Sequence, residues 1–199
     1  SWDISVFMLN YSDKIGVYPA TIPDPLLIER AVFLRTNISD ARTYGLEGLI
    51  RRVLIQDYKN LIDFTVSTSI MSGKYIGDNN SVVAGKEIEN MPSFTFRSVL
   101  SWKHKKSRAS VQWNYVDSQF TDATNALIEP TGVYGEIPAY GILDCSFNHK
   151  INEQISLGVK MNNVLDNMYF TRRATGYPGP GIIPSDGRNI RFSFVFHNP

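Results

Sequence analysis

Asn189-Ile190-Arg191-Phe192-Ser193-Phe194-Val195-Phe196 alternates without a break, and it follows the Gly/Pro-rich segment Tyr177-Pro178-Gly179-Pro180-Gly181-Ile182-Ile183-Pro184-Ser185-Asp186-Gly187-Arg188. Successive side chains of a strand point to opposite sides of a sheet, so Ile190, Phe192, Phe194 and Phe196 share one face. Asn189, Arg191, Ser193 and Val195 share the other. A segment patterned this way is a strand with one greasy face, and the rest of the chain must supply the sheet it joins.

The same period of two recurs upstream. Ile62, Phe64, Val66 and Ile70 oppose Asp63, Thr65, Ser67 and Ser69 between Leu61 and Met71. Between Ser93 and Lys103, Phe94, Phe96, Leu100 and Trp102 oppose Thr95, Arg97 and Ser101. Val111, Trp113 and Tyr115 then oppose Ser110, Gln112 and Asn114. Tyr140–Ile151 and Ile155–Met161 continue the pattern, and Trp2–Tyr11 and Arg42–Leu54 read as less regular strands. About eight strands result, in an all-β chain.

Their connections alternate in length. Those near 56–60, 104–107 and 151–154 are of hairpin size. Those expected over 16–35, 77–92, 121–138 and 175–187 are long and hold all but one of the 10 prolines. One trimmed end and one elaborate end is the pattern of an antiparallel transmembrane β-barrel with short periplasmic turns and long outer loops. The faces agree, since the less apolar one carries Ser, Thr, Asn and Gln suited to a wet lumen. The other carries Trp102, Trp113, Tyr115 and several Phe, as an aromatic-girdled lipid face does. A soluble β-sandwich is the competing reading of the same alternation.

Bulk composition narrows the classes. The 199 residues are 43% hydrophobic and 20% charged, which is a folding composition. Twenty basic against 19 acidic residues leave a formal charge of +1, so no nucleic-acid partner is expected. Cys145 is alone, which precludes an internal disulfide and a cysteine-built metal site. No apolar run reaches the ~18–20 residues of a spanning helix.

Three segments resemble the C-terminal part of the barrel of a TonB-dependent outer-membrane receptor, in the iron-chelate branch related to ferric-citrate receptors. Asn37-Ile38-Ser39-Asp40-Ala41-Arg42-Thr43-Tyr44-Gly45-Leu46-Glu47 is similar to a family strand that opens with Asn and reaches an aromatic-Gly-aliphatic-Glu core. Asn162-Asn163-Val164-Leu165-Asp166-Asn167-Met168-Tyr169 is similar to the family's penultimate strand. Arg172-Arg173, the Gly/Pro loop and Gly187-Arg188 then lead into the terminal strand. Val164-Leu165 stands where the family has Leu-Phe, and Phe196 is followed by His197-Asn198-Pro199 where the family ends on an aromatic.

The resemblance implies that residues 1–199 are one domain, the last third or so of a 22-stranded barrel, with Glu47 facing the lumen. The plug domain and the remaining strands are then expected outside this chain. It further implies a bacterial outer-membrane receptor that imports an iron chelate (a siderophore or a ferric-citrate-like complex), energised through the TonB complex. Lipid and lipopolysaccharide would surround it. The alternative is a self-contained eight-stranded barrel acting as an anchor or adhesion module.

Catalytic motifs are missing from the sequence. No His-Glu-x-x-His, Gly-x-Ser-x-Gly or phosphate-cradling loop occurs, and nothing in the spacing of Asp117, Ser118 and His149 requires a hydrolase. No enzyme activity, metal site or cofactor is expected. An anionic chelate would be held by guanidinium forks with aromatic or amide partners on the loops. The candidates are Arg172, Arg173, Tyr177 and Arg188, followed by Asn79, Asn80 and Lys86.

Overall fold

The computed structural model describes residues 1–23, 30–77, 82–127, 132–174 and 180–196. Twelve strands follow in order: β1 (Trp2–Ile22), β2 (Arg30–Gln56), β3 (Asn60–Tyr75), β4 (Phe94–His104), β5 (Ser107–Val116), β6 (Gln119–Phe120), β7 (Glu136–Ile137), β8 (Tyr140–Lys150), β9 (Ile155–Asn162), β10 (Phe170–Ala174), β11 (Gly181–Pro184) and β12 (Asn189–Phe196). Eight of them form one antiparallel sheet in the order β1-β2-β3-β4-β5-β8-β9-β12. The other four make two small ribbons, β6-β7 and β10-β11. The chain is all-β, a barrel wall of eight strands.

The register keeps one face continuous across the sheet. Ile62 pairs with Trp102, Trp102 with Ala109, Ala109 with Phe147, Phe147 with Val159, and Val159 with Phe192. Slipping one strand by a residue would put its whole apolar set on the wrong face, so this pattern pins the pairing. On this face Trp2 and Val6 at one edge of the sheet and Phe192 at the other remain 75%, 79% and 81% exposed. Along β3 the apolar band from Ile62 to Ile70 covers nine residues, the lower end of the about 9–11 that a tilted strand uses to cross a bilayer core.

The eight strands do not close on one another. β1 and β12 are the two edges of an open sheet, each hydrogen-bonded to a single neighbour, so the self-contained eight-stranded barrel is not the arrangement found.

Two sequence expectations need correction. The long connection over 16–35 is mostly strand, because β1 and β2 stay paired from Trp2↔Ile50 to Ile22↔Arg30, with register shifts around Lys14. They rise beyond the third strand as a two-stranded arm, and Asn37–Glu47 lies inside β2 rather than opening it. Pro19 is tolerated there because it follows Val17 by two residues, on the parity whose N–H would point away from β2 to the free edge. Of Asn162–Tyr169, in turn, only Asn162 belongs to β9; the rest is a folded turn, with positive φ at Asn163 (50°) and Asp166 (56°), values incompatible with a strand.

The short connections are as compact as their sequences suggest. Asp57 Oδ1 accepts from the N–H groups of Lys59 and Asn60, Asn152 Oδ1 from those of Gln154 and Ile155, and Lys105 turns at φ 48°. These are side-chain-mimicked turns, for which Asp and Asn are suited.

Candidate functional site: the loop crown and the polar wall

At the long-loop end the polar face is roofed by the chain's own loops. Ala41 and Tyr75, paired across β2 and β3, are 0% and 1% exposed beneath Val83, Ile88 and Ala123, with Tyr18, Ile38 and Met91 at the margin. Gly73 lets this roof settle, since a Cβ there would lie 2.0 Å from Met91 Cε and 3.0 Å from Ile88 Cδ1. The loop around 87 is tied to the loop around 125 by two bonds: Asn125 Oδ1 accepts from Glu87 N–H at 2.7 Å, and its Nδ2 donates to Glu87 O at 2.9 Å.

Glu89 fastens the arm to this roof. Its Oε2 accepts from the Tyr75 hydroxyl at 2.6 Å, its Oε1 accepts from Val17 N–H at 3.3 Å, and Lys14 Nζ lies 3.9 Å away. The carboxylate side chain is 7% exposed, so burial is offset by one cation and two donors. Val17 O accepts from Ala123 N–H at 3.1 Å. Both outward polar groups of Val17 are therefore occupied by loops of this chain.

Asp122 is fully buried in the same roof. Its Oδ1 accepts from the N–H and the hydroxyl of Thr124, closing an Asx turn that starts the excursion to β7.

Two arginines flanking the last long connection are engaged within the chain. Arg173, on β10, donates Nη1 to Gly132 O at 2.8 Å and Nη2 to Glu136 O at 2.7 Å, with its guanidinium carbon 5.2 Å from the Phe170 ring centre. Its planar fork thus clamps the neighbouring loop. Arg188 gives its N–H and Nη2 to the two oxygens of Asp166, at 2.9 and 3.2 Å. These contacts hold the Asp166 carboxyl below its ordinary range, the backbone N–H contributing most.

Asn163 and Asn167 complete the turn. Asn163 Nδ2 donates to Asn167 O, its Oδ1 accepts from Asn167 N–H, and Asn163 N–H donates to Asp144 Oδ1. Asn167 Nδ2 donates to Gly141 O. The Asn-rich run therefore works by side-chain bonding to the end of β8.

Among the sequence candidates, Arg172 is exposed on β10 while Arg173 and Arg188 are engaged as just described. Lys86 is exposed beside the roof; Tyr177, Asn79 and Asn80 lie outside the described residues. The structure separates Asp117 and His149, because Val116↔Tyr140 and Ser107↔His149 are opposite ends of one ladder, about 30 Å apart by strand rise. Among the described residues no group of three or more His, Cys, Asp or Glu is placed to hold a metal.

Below the roof, the polar face forms a concavity of about 570 Å³ lined by Asp3, Ser5, Glu47, Ser67, Arg97 and Asn114, among others. Arg97 Nη2 donates to Gln112 Oε1 at 2.9 Å, and Gln112 Nε2 to Asn114 Oδ1 at 3.1 Å. Glu47 sits on this face, opposite Ser5 and Ser69. Gly45 in the same motif leaves room for the Phe7 ring, whose Cζ would be 2.5 Å from a Cβ there. Sequence reasoning read this inward face as a polar lumen wall with Glu47 on it, but it sought the ligand-binding charges on the loops and missed both the Arg97–Gln112–Asn114 bonding and the Glu89 clasp.

Comparison with known proteins places these features. The sequence pattern of the family described as TonB dependent receptor-like, beta-barrel matches residues 1–164. No curated protein matches the chain. Among solved structures it is similar to the ferric citrate transporter FecA in the unliganded form (TM-score 0.75, 16% identity, covering 98% of this chain and 28% of that one). It is similar also to the siderophore receptor PiuA from Acinetobacter baumannii (0.71, 15%, 98% and 26%) and to the copper transporter OprC (0.70, 15%, 98% and 28%). The chain spans little more than a quarter of the length of these structures.

Proposed function

This chain belongs to the TonB-dependent receptor-like β-barrel family, and from that premise we propose that it is wall and loop crown of a bacterial outer-membrane receptor importing an iron chelate, energised through TonB. The observation that carries the proposal is the combination of an apolar outer face, a polar inner face and long loops folded over the inner face at one end only. A wall of this kind separates lipid from a wet lumen and presents loops to an arriving solute. The family is one of receptors.

In this reading the short turns face the periplasm, the crown faces outward, and the plug and remaining strands meet the open edges and the polar wall. The exposed Arg172 and, with it, Tyr177 contact an anionic chelate. Arg173 holds the neighbouring loop at Gly132 and Glu136, and Arg188 holds Asp166. An iron chelate suits this set because its oxygen donors carry negative charge that guanidinium groups recognise.

The test is growth of an iron-starved strain lacking its own chelate receptors, complemented with the complete receptor polypeptide. Growth on a panel of ferric hydroxamates, catecholates and citrate should be restored for one class and abolished by loss of TonB. Restoration independent of TonB, or by no iron chelate while another metal complex is taken up, overturns the assignment.

A further inference from the structure

At the short-turn end the apolar face ends in a row of polar side chains. Asn60 pairs with His104, His104 with Ser107, and Ser107 with His149, so the four side chains form a ladder across β3, β4, β5 and β8. The next row up is Ile62, Trp102, Ala109 and Phe147, which belongs to the apolar band. The ladder therefore lies on the outer surface, at the depth where hydrocarbon gives way to headgroups.

Hydrogen bonding fixes how the ladder faces outward. Asn60 Nδ2 donates to the Asp57 carboxylate at 3.1 Å, which leaves Asn60 Oδ1 as the acceptor at 2.6 Å for His104 Nδ1–H. His104 Nε2 is then the ring nitrogen left to meet an external group. Trp102 stacks on His104 with centroids 5.7 Å apart, and its Nε1 points to the same Asn60 oxygen at 3.4 Å. His149 Nδ1 is joined to Ser107 Oγ at 2.9 Å.

The turns directly beyond the ladder are laced into a rim. Lys105 N–H donates to Lys59 O, and Lys150 N–H donates to Lys106 O. This sets the backbones of Lys59, Lys105, Lys106 and Lys150 side by side in the turns just beyond the ladder. The acids on this rim are few: Asp57 is engaged by its own turn, and Glu153 pairs with Lys150 at 2.7 Å. Lys59 lies 4.6 Å over the ring of Tyr58, itself 88% exposed, and Lys106 Nζ donates to a carbonyl, that of Ile151. Lys59, Lys105 and Lys106 carry charge with no carboxylate ion-paired to it among the described residues.

We propose that this rim and ladder form a binding site for the phosphate headgroups of anionic phospholipids in the periplasmic leaflet. The occupant is a lipid rather than an acidic peptide because the ladder stands on the face that bears the apolar band. Trp102 and Phe147 take the upper acyl chain, and the lysines neutralise the phosphate. The proposal rests on the lipid-facing, short-turns-inward reading given above.

The test uses the complete receptor in bilayers of zwitterionic phosphatidylcholine mixed with phosphatidylglycerol, one or the other brominated in its acyl chains. Trp102 emission is isolated by subtracting the Trp102→Phe variant. Phosphatidylglycerol should quench this emission in excess of its bulk fraction. Lys59→Gln/Lys105→Gln/Lys106→Gln should abolish that preference, by about fivefold for each lysine lost, and the three arginine replacements should keep it. Equal quenching by both lipids in the parent protein overturns the site while leaving the barrel reading intact. Absence of quenching by either lipid overturns the lipid-facing reading and the site with it.

Discussion

The Tyr75 hydroxyl donates to Glu89 Oε2 at 2.6 Å, and through it the top of β3 is joined to a loop whose other carboxylate oxygen holds Val17 in the arm. One buried acid thus connects three segments far apart in sequence. Tyr75→Phe removes a donor and leaves the carboxylate under-bonded, a loss of about 1–3 kcal/mol for a buried polar group. Limited proteolysis should show cleavage within 14–39 rising on the order of tenfold or more, with the heat-resistant barrel band unchanged. An arm as protected as in the parent protein would refute the clasp.

Gly73 and Met91 give a packing test. Gly73→Ala puts a Cβ against the Met91 methyl, a flexible side-chain end that must move aside, at a cost near the low end of the about 1–3 kcal/mol of overpacking. Met91→Ala should recover part of that cost in the double variant, which a double-mutant cycle in urea reads as a favourable coupling. Additive losses would mean that Met91 is not what the new methyl meets.

Acidity should loosen the last turn. Asp166 is depressed below its ordinary value of 3.8 by the backbone N–H and then the guanidinium of Arg188. A depressed carboxyl contributes stability above its unfolded pKa and loses it as the pH falls through the lower folded value. Hydrogen exchange at the Arg188 amide should therefore lose protection below about pH 4. Asp166→Asn should be less protected at neutral pH and show no such acid step.

Arg172 and Arg173 should behave oppositely. Arg173→Lys keeps the charge and gives up the two-pronged grip on Gly132 and Glu136, so proteolysis between β6 and β7 should increase. Arg172→Ala should leave that loop intact and weaken chelate binding by about tenfold or more, the worth of a charge-assisted hydrogen bond. Calorimetry on the complete receptor distinguishes the two. Equal effects of both substitutions on loop and ligand would refute this division.

Strands with one apolar face announced themselves. Trp102, Phe147 and Phe192 recur with period two because each must stay on the apolar side, and β3, β4, β5, β8, β9 and β12 were legible from that requirement alone. The arm was not, because Gly16-Val17-Tyr18-Pro19 stands above the band and owes its strand form to pairing with β2 and to Glu89 and Ala123. Local sequence holds no record of such partners. The Asn163–Asn167 turn was misread for a related reason: amide side chains that bond to backbone look like ordinary polar strand residues until their partners, Gly141 and Asp144, are seen. Arg173 was found as a charge, yet its clamping of carbonyls across the crown depends on a neighbour about forty residues away in sequence.

The occupied backbone of Val17 has a consequence for assembly. A strand joining the free side of β1 can zip upward from Trp2 only until it meets the groups already committed to Glu89 and Ala123. The crown thereby acts as an end-stop, fixing how high the adjoining strand climbs and, with it, the stagger at that seam.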